Sequence, residues 1–248
     1  MGIEICIINP YATVQSNKKL KHCVSGVIDK SSTVYMSEES IVEDYYSYYL
    51  ETTNVSKLVK EIENNNSSDA FILACFEDIG IDIVRKITSK PVIGIGEAAF
   101  YTANIIANKF SIITNLSVSH EAIKNNLIKY DLDHKCVSLR SIEVPILDME
   151  TMSKSNIKKL ENEVNRTIVE DNPEAIIITS RGILNLTKIC SDRFNIPIIE
   201  GVTAAAALVE SLSKQDLKIK KFTKSLTRTN RLKIKKKLIR ATHFLYLF

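Results

Sequence analysis

The chain contains no apolar run of the ~18 residues that a membrane-spanning helix needs. Its N-terminus lacks a basic segment followed by an apolar one, so we expect no leader peptide. The five cysteines form no CxxC pair, and the four histidines lack the paired spacing of metal ligands. These shortages argue against a membrane protein, a disulfide-framed domain and a metal site. They favour reduced thiols in a cytoplasmic protein.

The net charge of +4 is distributed unevenly along the chain. Residues 213–248 carry 12 of the 33 Lys and Arg but only one of the 29 acids, so this tail is +11 and the remainder is −7. Basic tails bind nucleic acid or anionic membranes in some proteins. Here the aromatic and glycine interleaving of an RNA-binding segment is missing. We therefore predict a solvated tail, with no nucleic-acid partner and no membrane.

Strand-length apolar runs recur along the chain and alternate with amphipathic helical patterns. The runs are continuous rather than alternating, as expected for strands buried on both faces. This order predicts an α/β fold with parallel sheets. The predicted strands lie near residues 3–8, 70–74, 92–95, 110–114, 175–179 and 197–199.

An internal repeat is the most informative pattern. Residues 69–99 and 174–206 share an acid, an apolar run, a small nucleophilic side chain, an amphipathic stretch, then Pro and a second apolar run. Cys75 and Ser180 follow the first apolar run of each copy. A nucleophile at the same point of two copies predicts one site between two similar halves.

The repeat extends upstream, because each half opens with an apolar run that ends near an asparagine, Asn9 or Asn115. We predict two similar parallel-sheet α/β halves related by a pseudo-two-fold axis, with the active cleft between them. The first domain would contain residues 1–97 and about 207–248, including the basic tail. The second would contain residues 98–206.

In parallel sheets, ligands bind beyond the carboxyl ends of the strands. The pattern places Asn9, Cys75, Thr114, Asn115 and Ser180 at such ends. Cys75 is predicted where a strand gives way to a helix, and a helix N-terminus stabilises a thiolate. An isolated cysteine in this setting is more often a small core residue. Its position in the repeat favours a place in the site.

Five further motifs stand out, namely ACFEDIGID at 74–82, PVIGIGEAA at 91–99, FSIITN at 110–115, INPYAT at 8–13 and IEGVTAAA at 199–206. They resemble the hydantoin/allantoin racemase branch of the Asp/Glu racemase superfamily. A tyrosine loop of that branch is also similar to SIVEDYY at 40–46, where Val42 replaces a Glu. The resemblance covers about residues 1–212.

The resemblance implies a cofactor-independent racemase in which one cysteine removes an α-proton and a second returns it on the other face. It assigns the first cysteine to Cys75 and the second to Ser180, in the segment Thr179–Gly182. The implied substrate is a small molecule with a carboxylate or ring carbonyl. The expected substrate contacts are the side chains of Asn9, Thr114 and Asn115, the backbone amides of Phe76 and Arg181, and Gly182. Tyr45, in the tyrosine cluster at 45–49, is a candidate lid over the cleft, although such clusters more often pack their rings on the body.

Ser180 departs from the family pattern in a way that matters chemically. A thiol has a reference pKa of about 8.5, whereas a serine hydroxyl is several units weaker, and each unit corresponds to about 1.36 kcal/mol. Besides a racemase, the sequence therefore leaves open a single-thiol lyase and a non-catalytic small-molecule-binding relative. Arg181 adds a cation that either favours a more acidic substrate or points to solvent. Cys190 is predicted to be core.

Gly94–Ala99 matches a relaxed dinucleotide fingerprint, G-x-G-x-x-A. The following strand ends at Thr114 without the acid that would bind a ribose, so tight strand-to-helix packing explains the glycines better. We predict no cofactor. Whether the protein forms a homo-oligomer is left open.

Overall fold

The computed structural model describes residues 2–10, 13–37, 53–145, 148 and 153–220. The first half contains a four-stranded parallel sheet with the order β2-β1-β3-β4. Its strands are β1 (Glu4–Ile8), β2 (Thr33–Met36), β3 (Ala70–Leu73) and β4 (Val92–Gly94). The two strands at its centre, β1 and β3, are buried almost throughout and consist mainly of isoleucine, leucine and phenylalanine.

The second half repeats this sheet, with the order β6-β5-β7-β8 and all strands parallel. Its strands are β5 (Phe110–Thr114), β6 (Cys136–Ser141), β7 (Ala175–Ile178) and β8 (Ile198–Glu200). The predicted α/β fold with two similar halves is confirmed. The sequence pattern missed β2 and β6, since these edge strands are only partly buried and carry polar residues.

The helices fill the connections between the strands and follow the predicted apolar faces. They are α1 (Val14–Ser25), α2 (Thr53–Asn64), α3 (Ile81–Ile87), α4 (Ile95–Ile106), α5 (His120–Lys129), α6 (Lys154–Asp171), α7 (Leu184–Phe194) and α8 (Gly201–Lys214). No helix among the described residues is both long and apolar enough to cross a membrane.

Three groups of buried apolar side chains hold the layers together. The outer face of the first sheet packs against α2 and α3, and the outer face of the second sheet packs against α6 and α7. The inner faces of both sheets share one central cluster with side chains from α1, α4, α5 and α8. The two sheets are therefore joined by a common core.

Two helices of the central layer each pack on the sheet of the other half. Helix α4 follows β4 of the first sheet but packs on β7 and β8 of the second, whereas α8 follows β8 and packs on β3 and β4. The two helices also pack tightly on each other, since a Cβ at Gly201 would lie 2.3 Å from the carbonyl oxygen of Ile95. The predicted domain boundaries stay a prediction, and residues 221–248 of the basic tail lie outside the described part.

Candidate active site

The carboxyl ends of the central strands carry most of the predicted site residues. Asn9 follows β1 directly, Cys75 lies two residues after β3, and Ser180 lies two residues after β7. Thr114 and Asn115 lie at the end of β5. All five side chains are buried, with exposed fractions between 1% and 6%. The two repeats thus place buried polar groups at equivalent points.

Arg181 connects the strand ends of the two halves. Its Nη1 donates to the side-chain oxygen of Asn9 and, at 3.0 Å, to the carbonyl oxygen of Ala74, the residue before Cys75. The segment containing Ser180 therefore reaches the strand ends of the first sheet. The guanidinium therefore contacts the first half, and its role toward a more acidic substrate stays a prediction.

The thiol of Cys75 contacts a carboxylate. Its Sγ donates to Oε2 of Glu77 at 3.1 Å, and both residues are buried. Cys75 lies in the connection from β3 to α3, as predicted, but α3 begins only at Ile81, so the thiol does not lie in the first turn of that helix. Asp78 and Gly80 have positive φ values of 50° and 82°, and this left-handed backbone forms a turn before the helix.

Asp78 holds the turn after Cys75 against the next helix. Its carboxylate accepts from the backbone N–H groups of Gly96 at 3.1 Å and Glu97 at 2.7 Å, and from the hydroxyl of Tyr130 at 3.2 Å. Burial, together with the charge of Glu97, raises the pKa of Asp78. The N–H groups that a phosphate would use at this helix N-terminus are thus bonded to an internal carboxylate.

Gly96 explains the remaining part of the dinucleotide-like motif. A Cβ at this position would lie 2.0 Å from the carbonyl oxygen of Phe76 and 2.7 Å from the carboxylate of Asp78. The glycine therefore allows α4 to approach the loop that carries Cys75, as the packing explanation predicted.

Ser180 is paired with a neutral amide. Its hydroxyl donates to Oδ1 of Asn115 at 2.5 Å, and the amide nitrogen of Asn115 donates to the carbonyl oxygen of Val144 at 3.4 Å. The second bond fixes the amide so that its oxygen faces the serine. The hydroxyl of Ser180 consequently contacts a group that cannot act as a base near neutral pH.

Gly182 and Glu200 hold the loop after Ser180. Gly182 has a φ of 69°, and its N–H donates to the carboxylate of Glu200 at 3.4 Å. The same carboxylate accepts from the N–H of Thr203 at 3.0 Å in the first turn of α8. Burial raises the pKa of Glu200 to about 6 despite these hydrogen bonds.

Asn9 is held in one orientation by three neighbours. Its amide nitrogen donates to Ser16 at 3.1 Å and to Asn17 at 2.8 Å, while its oxygen accepts from Arg181. The role of substrate ligand that the sequence predicted stays a prediction. What the structure shows is an anchor for the guanidinium.

Three further predicted residues remain, and each has a different position. Thr114 donates through its hydroxyl to the carbonyl oxygen of Leu116 at 3.3 Å. The ring of Phe76 packs edge-on against Phe100 in the central core, with 5.4 Å between ring centroids. Tyr45 lies outside the described residues.

Cys190 is fully buried in the outer cluster of the second sheet, and burial raises its pKa, so the prediction of a core residue is confirmed. Within the part of the chain that the structure describes, one group of side chains has the spacing of metal ligands, namely Asp131, Asp133 and His134. All three are exposed, and exposed acidic clusters of this kind are common without an ion.

Sequence reasoning missed Glu77 as the partner of Cys75 and missed the target of Arg181. The signal for Glu77 was present, because an acid pair follows the cysteine within the motif CFED. The target of Arg181 gave no local signal, since its acceptors are 172 and 107 residues away in the chain.

Comparison with known proteins identifies relatives of this chain. The Asp/Glu/hydantoin racemase family matches residues 5–209. A hydantoin racemase of Pseudomonas sp. (strain NS671) is 28% identical over 227 residues, which cover 89% of this chain and 91% of the relative. A hydantoin racemase of Rhizobium meliloti is 32% identical over 164 residues, covering 65% of this chain and 68% of the relative.

A solved structure, an allantoin racemase from Klebsiella pneumoniae, superimposes with a TM-score of 0.81 at 26% sequence identity. It covers 90% of this chain and 92% of its own. The family match spans most of the chain, including both strand ends with their buried thiol and hydroxyl. The chain therefore belongs to the Asp/Glu/hydantoin racemase family.

Proposed function

We propose that the protein is a cofactor-independent isomerase that moves a proton at an acidic carbon next to a carbonyl, in a substrate of the hydantoin or allantoin type. The observation that carries this proposal is the buried thiol of Cys75 just after β3, where Arg181 of the second half donates to the carbonyl oxygen of the preceding residue. The relatives named above are racemases of hydantoins and allantoin, which supports the same class of substrate. The five cysteines are free thiols, in keeping with the predicted cytoplasmic location.

In this mechanism the sulfur of Cys75 takes the α-proton of the bound substrate as the thiol gives up its own proton to an adjacent base. The C–H bond breaks, an S–H bond forms, and the electron pair moves onto the neighbouring carbonyl as an enolate. The guanidinium of Arg181 bonds the carbonyl oxygen of Ala74, the residue before Cys75, and would supply positive charge near the developing enolate. Fixed charge near a developing anion is a large contribution to catalysis.

We infer that Ser180 contacts the same substrate from the second half, where its proton-transfer capacity differs from that of Cys75. Its hydroxyl already donates to Asn115, and removal of its proton would cost several pKa units at about 1.36 kcal/mol each. The hydroxyl can hydrogen-bond a substrate but is a poor proton acceptor. We infer that proton exchange is fast on the Cys75 face and that inversion is much slower.

The test follows deuterium uptake and optical rotation of single enantiomers in D2O. The substrates are 5-substituted hydantoins, allantoin, aspartate and glutamate. Uptake with loss of rotation supports a racemase, and uptake with retained configuration supports chemistry on one face. Loss of carbon dioxide from a malonate-type substrate would identify a single-thiol lyase. Thermal stabilisation by a substrate without uptake would identify a binding protein.

Two variants assign the groups. Cys75→Ala should abolish deuterium uptake, and uptake at the wild-type rate in this variant would rule out the thiol as the base. Ser180→Cys should increase the rate of inversion by at least tenfold, because it places a second thiol at the equivalent position of the other repeat. Cys190→Ala is the matched control, since it removes a buried thiol from the outer core and should leave the ratio of inversion to exchange unchanged.

A further inference from the structure

The carboxylate of Glu77 is fixed in contact with the thiol of Cys75 by the surrounding loop. Oε2 lies 3.1 Å from Sγ, and the exposed fractions of Glu77 and Cys75 are 7% and 1%. The carbonyl oxygen of Glu77 accepts from the side chain of Asn126 at 2.6 Å, and the next residue, Asp78, is bonded to the N-terminus of α4. The backbone at Glu77 and Asp78 is thus anchored to α5 and to α4.

The repeat shows that this carboxylate is special to one half. Cys75 corresponds to Ser180, so Glu77 corresponds to Gly182, which has no side chain. In the second half the residue in contact with the hydroxyl is Asn115, a neutral amide. A group that can accept a proton is therefore placed beside the thiol, while the described contact of the hydroxyl is an amide.

We propose that Glu77 is a catalytic residue that forms a proton-transfer dyad with Cys75, an inference that rests on the proposed function. As the substrate approaches, the S–H proton moves to Oε2 of Glu77 and the α-proton moves to Sγ. The S–H and C–H bonds break while an O–H bond and a new S–H bond form, and the negative charge passes from the carboxylate to the substrate enolate. The reverse movement returns a proton to the same face.

The dyad makes the resting thiol reactive without requiring a free thiolate. A carboxylate in direct contact opposes the formation of a second negative charge on sulfur, in keeping with the hydrogen bond that Sγ donates to Oε2. During the reaction the same carboxylate accepts the proton that the sulfur must lose. Loss of the carboxylate should therefore make the resting thiol more reactive and slow the proton transfer from the substrate. A group that acts through its charge alone would not slow the proton transfer.

The test compares Glu77→Gln with the wild type in two assays. Glutamine keeps the size of the side chain and still accepts a hydrogen bond from the thiol, but it cannot take the proton. Deuterium uptake by the substrate should fall by about 10²- to 10⁴-fold, the range expected for loss of a general base. Alkylation of Cys75 by iodoacetamide at fixed pH, measured on the peptide by mass spectrometry, should become at least threefold faster.

Opposite changes in the two rates support the dyad. If uptake stays within threefold of the wild-type rate, or if both rates fall together, Glu77 does not accept the proton. Glu77→Asp keeps a carboxylate on a shorter side chain and should recover part of the uptake, which covers the case in which the glutamine variant fails to fold. Glu121→Gln, an exposed acid on α5, is the matched control and should change neither rate.

The alkylation assay also separates this inference from the proposed function. If the wild type deuterates none of the substrates, the proposed isomerase function fails. Faster alkylation in Glu77→Gln would then still support the thiol–carboxylate contact, and an unchanged alkylation rate would overturn it.

Discussion

Removal of the Arg181 guanidinium should weaken the contact between the two halves at the strand ends. The side chain makes two hydrogen bonds to groups of the first half, one to the amide oxygen of Asn9 and one to the carbonyl oxygen of Ala74. In Arg181→Ala both acceptors lose a charged donor in a largely buried setting. The perturbation is local, because the chain continues into α7 after only two further residues.

The magnitude follows from the two bonds. A hydrogen bond from a charged donor contributes about 1.5–3 kcal/mol, but the side chain is only half-buried and water can replace part of the loss, so we expect about 2–3 kcal/mol in total. For a chain of this length, each kcal/mol lowers Tm by about 2–4 °C. Arg181→Ala should therefore lower Tm by roughly 5–10 °C.

The assay is chemical denaturation monitored by circular dichroism, with thermal unfolding as a second measurement. Arg181→Met keeps most of the aliphatic packing and separates it from the hydrogen bonds. Arg193→Ala is the matched control, since Arg193 is 59% exposed and pairs with Glu161 at the surface. Its loss should cost less than about 1 kcal/mol, as for other surface ion pairs.

A double-mutant cycle gives the strictest test. Arg181→Ala combined with Asn9→Ala should show a coupling energy of at least about 0.5 kcal/mol, because residues in contact are not additive. Additivity, together with a stability loss in Arg181→Ala no larger than in Arg193→Ala, would show that the guanidinium does not bridge the halves in solution.

Two further predictions concern residues that pack against the loops after Cys75 and Ser180. Gly96→Ala should destabilise the protein by roughly 1–3 kcal/mol in denaturant titrations, because the new Cβ would lie 2.0 Å from a backbone oxygen. The control Gly26→Ala should be neutral or slightly stabilising, since its Cβ would lie 3.5 Å from the nearest atom and its φ is −78°. Equal effects of the two substitutions would contradict the packing argument. Glu200 has a folded-state pKa of about 6, above its ordinary 4.5, so it binds its proton more tightly when folded. This tighter binding stabilises the folded protein fully below pH 4.5, and the stabilisation is lost as the pH rises through 6. Unfolding curves between pH 4 and 7 should show the wild type losing about 2 kcal/mol of stability relative to Glu200→Gln. A stability difference between the two proteins that is constant over this range would refute the buried-acid assignment.

The sequence predicted the fold well where the signal was local. Six strands gave continuous apolar runs because they are buried on both faces, and the repeat related one half to the other. The edge strands β2 and β6 were missed, since half-buried strands with polar residues resemble loops. The crossing of α4 and α8 between the sheets was not predictable from periodicity, because an apolar helix face does not specify which sheet it packs on.

The candidate site was predictable to the level of residues but not of contacts. The rule that ligands bind at the carboxyl ends of parallel strands placed Cys75 and Ser180 correctly at strand ends. It did not reveal that the loop after β3 places the carboxylate of Glu77 against the thiol. Contacts of this kind depend on backbone dihedrals, and those of Arg181 depend on the docking of two halves that are far apart in the chain.

The crossing of the central helices bears on how such a chain could have arisen. One repeat alone would present the apolar face of its last helix to water, because that helix finds its partner strands in the other repeat. Two copies related by a two-fold axis would cover both faces at once, as in a self-complementary dimer. Duplication and fusion of the two subunits would then free each copy to change separately, which accounts for a thiol with a carboxylate in one half and a hydroxyl with an amide in the other.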